Sequence, residues 1–433
     1  MLRRYDRKPS PGSSRVFRTG AALLAVTALL LCGCAQGKTG GSSHPNSDGV
    51  TTGGSKTVLT VAARSGSHAD VINSVKKSFE ESNRCIVEVI EMDADELRKN
   101  VEEDAKNAYG SFDLVMIDDP FMPEYIEGKV LYNLTSAGYK DDPDFVEKSL
   151  ALGKAPYAIG ATYALPFTGN VQLLFYNSSI VGGNTDVWSW DGILAKALAA
   201  KMSGKKGYLI RGQAGNPIVS DFLPILWACG GDIFDSDNKV IIDSEEGRNA
   251  LNIFLSLMET GGSTDQDGII KALENGEAAY ALGWPSWFLS GGDTAVSYER
   301  IPDRISDNSA RLATGEIGNW MLGVTANTVN PDLAIKLLIY LTSEPVQREA
   351  IKYGGIPTRT SIFRDEEVLE KYPHFETIYE GTVNSRVRPR TVKWSEVERV
   401  FGEELSLCIE GKKSIDDTLM DAQKAVEKVM EEE

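Results

Sequence analysis

The sequence predicts an α/β fold. Between residues 57 and 118, short β-branched runs alternate with stretches whose apolar residues recur at helical spacing, and the alternation resumes after residue 170. A strand–helix–strand order implies parallel strands joined by right-handed crossovers. Two further helical patterns close the chain and add helices beyond the sheets.

Thr57–Ala63 (TVLTVAA) alternates and is β-branched, as a first strand requires. Val71, Ile72, Val75 and Phe79 then place a helix over Ala69–Glu81. Cys85–Ile90 reads as the second strand, Asp95–Asn107 as the next helix and Phe112–Asp118 as the third strand. Ligands of such sheets sit beyond the carboxyl ends of the strands. Three loops occupy that position: Arg64–His68, Glu91–Asp93 and Asp118–Phe121.

In the second region Asn170–Asn177 and Gly207–Ile210 read as strands. Ser189 is the expected cap of a helix over 191–202. Asp243 with Glu246 forms a capping box for another helix, with Gly261 just past its end. Glu277–Trp284 leads from a strand into an aromatic loop, and Met321–Thr325 is a further strand. Pro331 opens a helix that carries Ala334, Leu337, Leu338 and Leu341. Ser395 with Glu398, and Ser414 with Asp417, are capping pairs before the last two helices.

The length of 433 residues suits two or three domains, and 42% apolar with 25% charged residues describes a globular body. The net charge is −17; without residues 1–33, which hold six basic side chains and one acid, it is −22. That balance argues against nucleic acid as a partner, because phosphate binding needs surplus Lys and Arg. Of three histidines, only His68 and His374 fall in the folded body, too few for a histidine-rich metal site. Cys85, Cys229 and Cys408 are far apart and show no CxxC pairing. No metal or other cofactor is expected.

The first eighteen residues carry Arg3, Arg4, Arg7, Lys8, Arg15 and Arg18, followed by the apolar run Gly20–Leu31. About twelve residues are too few to span a bilayer, which needs about twenty, so this reads as an export signal. Leu31-Cys32-Gly33-Cys34 resembles a bacterial lipobox. It implies a signal peptide over 1–33, lipidation at Cys34 and a membrane-held protein on the extracytoplasmic face. A plain secretory signal is the alternative. Residues 34–55, rich in Gly, Ser and Thr, make a flexible tether.

Seven ordered segments carry a family resemblance. They are Asp113–Thr135, Tyr163–Asn177, Phe222–Asp235, Glu274–Phe288, Gly318–Val324, Gly354–Arg359 and Arg388–Thr391. Together they resemble the extracellular solute-binding proteins of ABC importers, in the branch that includes maltose- and trehalose-binding proteins. The resemblance implies a two-lobed, periplasmic-binding-protein-like (type II) fold, each lobe a mixed sheet flanked by helices, with three hinge crossings. Lobe one is expected over 56–166 and 303–352, and lobe two over 167–302 and 353–433. It also implies a carbohydrate ligand, di- or oligosaccharide, permease subunits as partners, a monomer and no catalytic group.

Sugars offer hydroxyls that need paired hydrogen bonds and flat C–H patches that need an apolar platform. Trp284, Trp287, Trp320 and Trp227 are the candidate platforms, with core packing as the competing reading for each; Trp188, Trp190 and Trp394 read as core. Asp118 and Asp119 end the third strand; one matches the family's hydroxyl-binding aspartate and the other reads as a turn cap. Asn170 stands where that branch usually has Asp, and Asn319 interrupts the family's Gly-Gly-Trp. Ser67 and His68 follow the first strand, either as ligand contacts or as caps. Arg359 and Arg390 match family arginines; either touches ligand or pairs with a carboxylate across the hinge.

The rival readings are an exported glycan-active enzyme, a binding protein for a solute such as a polyamine, and a surface receptor without transport. The sequence has no GxSxG, HExxH or ordered Ser/His/Asp set. The GWP and RPRT segments favour sugar over polyamine.

Overall fold

The computed structural model describes residues 56–182, 189–288, 295–303, 305 and 315–432. The leader, Cys34, the tether and Trp188 lie outside them. The first lobe opens with β1 (Val58–Arg64), α1 (Ser67–Asn83), β2 (Ile86–Met92), α2 (Ala94–Asp104) and β3 (Leu114–Asp118), and later adds β4 (Ala164–Thr168). The second lobe holds β5 (Leu173–Asn177), α3 (Trp190–Met202), β6 (Lys206–Arg211), α4 (Asn216–Ala228) and α5 (Glu245–Gly261). It continues with β7 (Ser263–Thr264), α6 (Gln266–Glu274), β8 (Ala278–Gly283) and β9 (Val296–Glu299). The chain then returns to the first lobe as β10 (Trp320–Val324) and α7 (Pro331–Leu341). Helices α8 (Trp394–Ile409) and α9 (Ile415–Glu431) end it.

The first sheet has the order β2-β1-β3-β10-β4. β1 runs parallel to β2 and β3, and β10 runs antiparallel to β3 and β4. The second sheet has the order β9-β5-β8-β6-β7, with β6 parallel to β7 and β8, and β5 antiparallel to β8 and β9. Both sheets are therefore mixed, and each has helices on its faces. On one face of the second sheet Phe222 of α4 meets Phe254 of α5 and Phe401 of α8 edge-on, at 5.5 and 5.8 Å. Trp190 and Trp394 are fully buried in that core, which explains why neither is available to a ligand.

The chain crosses between the lobes three times, and the crossings are bonded to each other. Gly169 N–H donates to the Ile356 carbonyl, and Gly318 N–H to the Asn170 carbonyl. Val171 and Ile317 form a bridge, as do Glu316 and Arg386. These bonds hold the extended crossing segments side by side.

Two capping expectations need correction. Ser244, not Asp243, caps α5: its Oγ accepts from Gly247 N–H, while Asp243 pairs with Arg248. Ser395 does not cap α8, which starts one residue earlier. Its Oγ instead accepts from Arg98 of the first lobe at 2.9 Å, and Glu398 accepts from Asn216 at 2.8 Å. Tertiary partners claimed both side chains. The Ser189 and Ser414 caps form as the spacing predicts.

Candidate functional site

Residues from both lobes line one cleft of about 470 Å³. The first lobe supplies Arg64, Ser65, Ser67 and His68 after β1, Ala94 at the start of α2, Asp118 at the end of β3 and Trp320 at the start of β10. The second supplies Arg211 at the end of β6, Asn216 at the start of α4, Gln266 and Ile270 of α6, and Trp284, Ser286 and Trp287 after β8. Asn170, Gly318 and Arg388 come from the segments between them. Most of these positions follow the carboxyl ends of parallel strands, where the sheet geometry turns loops outward, and the antiparallel β10 starts at the same edge with Trp320.

The two lobes present matched arms. In each, a strand ends in arginine and a glycine with φ above 80° leads into a helix that has no side-chain cap: Arg64, Gly66 and α1 on one side, Arg211, Gly215 and α4 on the other. No atom lies within 4 Å of a Cβ built on either glycine, so the need for glycine is conformational. The first-turn N–H groups of α1 carry partial positive charge toward the loop it opens from, whereas α4 has Pro217 in its first turn and donates its Ile218 N–H to the Gln213 carbonyl.

Each guanidinium lies near an indole. Arg64 stands 4.9 Å from the ring centre of Trp320, and Arg211 stands 5.4 Å from that of Trp287. His68 sits 5.6 Å from Trp320 in a tilted arrangement. Burial, then the Arg64 charge, push the His68 imidazole down to about 3, so it is neutral at any physiological pH. Trp284 lies across Gly318, where a Cβ would come within 2.7 Å of its ring. A glycine is needed there so that the indole can lie on the hinge.

Asn170 is the polar centre of the crossing. Its backbone N–H donates to Asn319 Oδ1 at 3.0 Å and its Nδ2 to Ser286 Oγ at 3.1 Å, while its Oδ1 has no partner among the described residues. Asn319 is fully buried, so it braces the hinge and does not enter the cleft.

Behind the cleft lies a buried charge cluster. Arg388 donates to Asp119 at 3.1 Å and lies 3.8 Å from Asp118 and 4.0 Å from Glu316. Arg211 is paired with Asp221 through three hydrogen bonds, one from its backbone. Burial raises the Asp118 and Asp119 carboxyls against the opposing pull of Arg388. Burial likewise pushes Glu316 and Glu398 up to about 7, again with Arg388 opposing. A smaller chamber of about 190 Å³ adjoins the cleft and shares Asp118, Trp320 and Arg388 with it.

Seven sequence candidates therefore meet in one place: Ser67, His68, Asp118, Asn170, Trp284, Trp287 and Trp320. Four do not line it. Asp119 is fully buried beneath Arg388 and Arg390. Arg390 donates to the backbone carbonyls of Asp119 and Leu152 and so pins the C-terminal segment to the first lobe. Arg359 donates to Asp142, Asp144 and the Thr342 carbonyl, so of its two readings the carboxylate pairing is the one seen. Trp227 packs in the second lobe, with Arg386 over its ring and its Nε1 donating to Asp232.

Sequence reasoning named Arg64 only as the first residue of a ligand-side loop and passed over Arg211, Asn216 and Arg388. Arg64 and Arg211 had a signal: an arginine at the end of a predicted strand, shortly before a glycine that opens a helix. Arg388 belongs to the RPRT segment, where the weight fell on the arginine two residues later.

A sequence profile of the bacterial extracellular solute-binding proteins matches residues 74–377. A protein of Deinococcus radiodurans named as a probable ABC transporter-binding protein is 24% identical over 264 residues, which are 56% of this chain and 62% of that protein. This chain thus spans less than two thirds of that relative's length. A Sinorhizobium fredii protein named as a probable amino-acid ABC transporter periplasmic-binding protein is 21% identical over 398 residues, 86% of this chain and 89% of the other. Among solved structures, maltose-bound MalE3 of T. maritima shares the two-lobed fold with a TM-score of 0.75, at 22% identity, over 86% of this chain and 99% of that one. The family profile spans well over half of the sequence, and the chain belongs to the bacterial extracellular solute-binding protein family.

Proposed function

We propose that this chain captures a small carbohydrate for an ABC importer and hands it to the permease unaltered, as a monomer held to the membrane by a lipid on Cys34. The observation that carries the reading is the cleft itself: indoles from both lobes stand beside amide and hydroxyl groups that include an Asn170 Oδ1 without a partner among the described residues. Indole faces suit sugar C–H patches, and the polar groups suit hydroxyl pairs. A volume of about 470 Å³ lies within the range of small-molecule sites, roughly 300–1,000 Å³. The maltose in the T. maritima relative supports the same class. Bonded crossings let the lobes close over a ligand as rigid bodies, and the closed form is the one a permease can recognise.

A polyamine fits poorly, because among the described residues three arginines and a single carboxylate line the cleft. The lobe boundaries at 166, 302 and 352 belong to the same proposal, with β4 of the first lobe running two residues past the first of them, to Thr168. The decisive experiment is thermal melting of the protein against mono-, di- and oligosaccharides and amino acids, followed by chromatography of the recovered ligand. Stabilisation by sugar, with the sugar recovered intact, supports capture; a cleaved sugar indicates an enzyme, and a response to amino acids alone rejects the carbohydrate.

A further inference from the structure

The three cleft arginines are not equivalent. Arg211 has Asp221 as its counter-ion and Arg388 has Asp119. The Arg64 side chain makes no hydrogen bond and no ion pair with any described residue; its guanidinium overlies Trp320, and its charge reaches His68 and Asp118 only at a distance. The carboxylate in the same cleft, Asp118, has Arg388 as its near cation at 3.8 Å. Arg388, only 4% exposed, also has an Nε without a hydrogen-bond partner among the described residues.

A neutral sugar leaves this arrangement incomplete. Closure of the lobes strips water from Arg64, and a hydroxyl that accepts one hydrogen bond does not balance a full charge taken out of water. A ligand carboxylate does balance it, and matches the guanidinium fork with two parallel bonds. The N-terminus of α1, which no side chain caps, adds partial positive charge of the same sign at the same cleft. The remainder of the cleft still suits a polyhydroxylated ring.

We propose that the cleft selects a carboxylate-bearing sugar of the hexuronic acid class, with the Arg64 guanidinium as the ligand's counter-ion. This rests on the carbohydrate reading above and sharpens it.

The test is isothermal titration of the full mature chain with glucuronate and galacturonate, their methyl esters and the parent hexoses. The ester keeps the shape of the acid and removes its charge. The expected result is that one acid binds at least tenfold more tightly than its ester and parent hexose. Arg64→Gln should then shrink that acid-to-ester ratio severalfold, while Arg64→Lys retains part of it; the ratio, unlike overall affinity, does not respond to a general loss of folding. Acid and ester binding alike, or a ratio unchanged in Arg64→Gln, overturns the assignment. Binding of parent hexoses without the acids overturns it and leaves carbohydrate capture standing. A response to glutamate with none to any sugar overturns both.

Discussion

Arg388 donates from Nη2 to Asp119 Oδ1 at 3.1 Å, and this bond ties the segment leading into α8 to the end of β3 in the other lobe. Asp119 is fully buried and Arg388 nearly so. The same guanidinium faces Asp118, Glu316 and Glu398 and is the main cation opposing their burial. Removing it takes the main counter-charge from four carboxyl groups and leaves only the more distant Arg64, Arg211 and Arg390.

Arg388→Leu is therefore expected to destabilise the protein by about 3–5 kcal/mol near pH 8, the cost of breaking a buried pair. The loss should be smaller near pH 5, where more of the carboxyls hold protons. Urea denaturation of the variant at both pH values measures it. Equal stability of variant and parent at pH 8 rules out a supporting role for the pair.

The tether and Cys34 make a separate prediction. Cys34→Ala should move the protein from the membrane fraction into the medium or periplasm without altering its melting temperature, because lipidation adds an anchor and no packing. Fractionation followed by immunoblotting reads the outcome, and retention in membranes rejects the lipobox.

Much of the fold was legible because periodicity reports the face an element buries. β1, α1, β2, α2 and β3 fall within a few residues of their expected limits. The seven candidate residues that share the cleft were legible for a related reason: they sit at strand ends or in punctuated aromatic loops. The misses are tertiary. Ser395 and Glu398 have the spacing of a capping box, yet Arg98 and Asn216 compete for them across the lobes. Nothing in the RPRT segment says which arginine faces the cleft and which bonds backbone carbonyls; that is decided by where the segment meets Asp119. Asn319 stands out in the sequence only as a departure beside Trp320, and its buried place follows from the extended segment, on which neighbours point to opposite faces.

Trp284 and Trp320 are the indoles whose loss should be felt in binding. Trp284→Ala and Trp320→Ala are each expected to weaken sugar binding by at least tenfold in calorimetry while the protein still melts cooperatively, since both rings are only half-buried. Gly318→Ala tests Trp284 from behind. A methyl group there would lie 2.7 Å from the indole, so the ring must shift, and affinity should fall although no ligand contact was removed. Unchanged affinity in all three variants removes these rings from the site.

Stability should also depend on pH in a defined direction. Glu316 and Glu398 are pushed up to about 7 from ordinary values of 4.5. Between those values the folded protein keeps protons that the unfolded chain has released. The unfolded state then binds fewer protons, so stability falls as pH rises from about 4.5 to about 7 and levels off above. Melting temperature should therefore drop between pH 5 and pH 8. Glu398→Gln keeps an acceptor for Asn216, which donates to Glu398 at 2.8 Å, and removes the ionisation. It should flatten the pH profile and raise the melting temperature at pH 8 relative to the parent, with little difference at pH 5. A profile that stays as steep in the variant shows that Glu398 does not titrate in this range, and shifts the pH dependence to Glu316 and the Asp118–Asp119 pair.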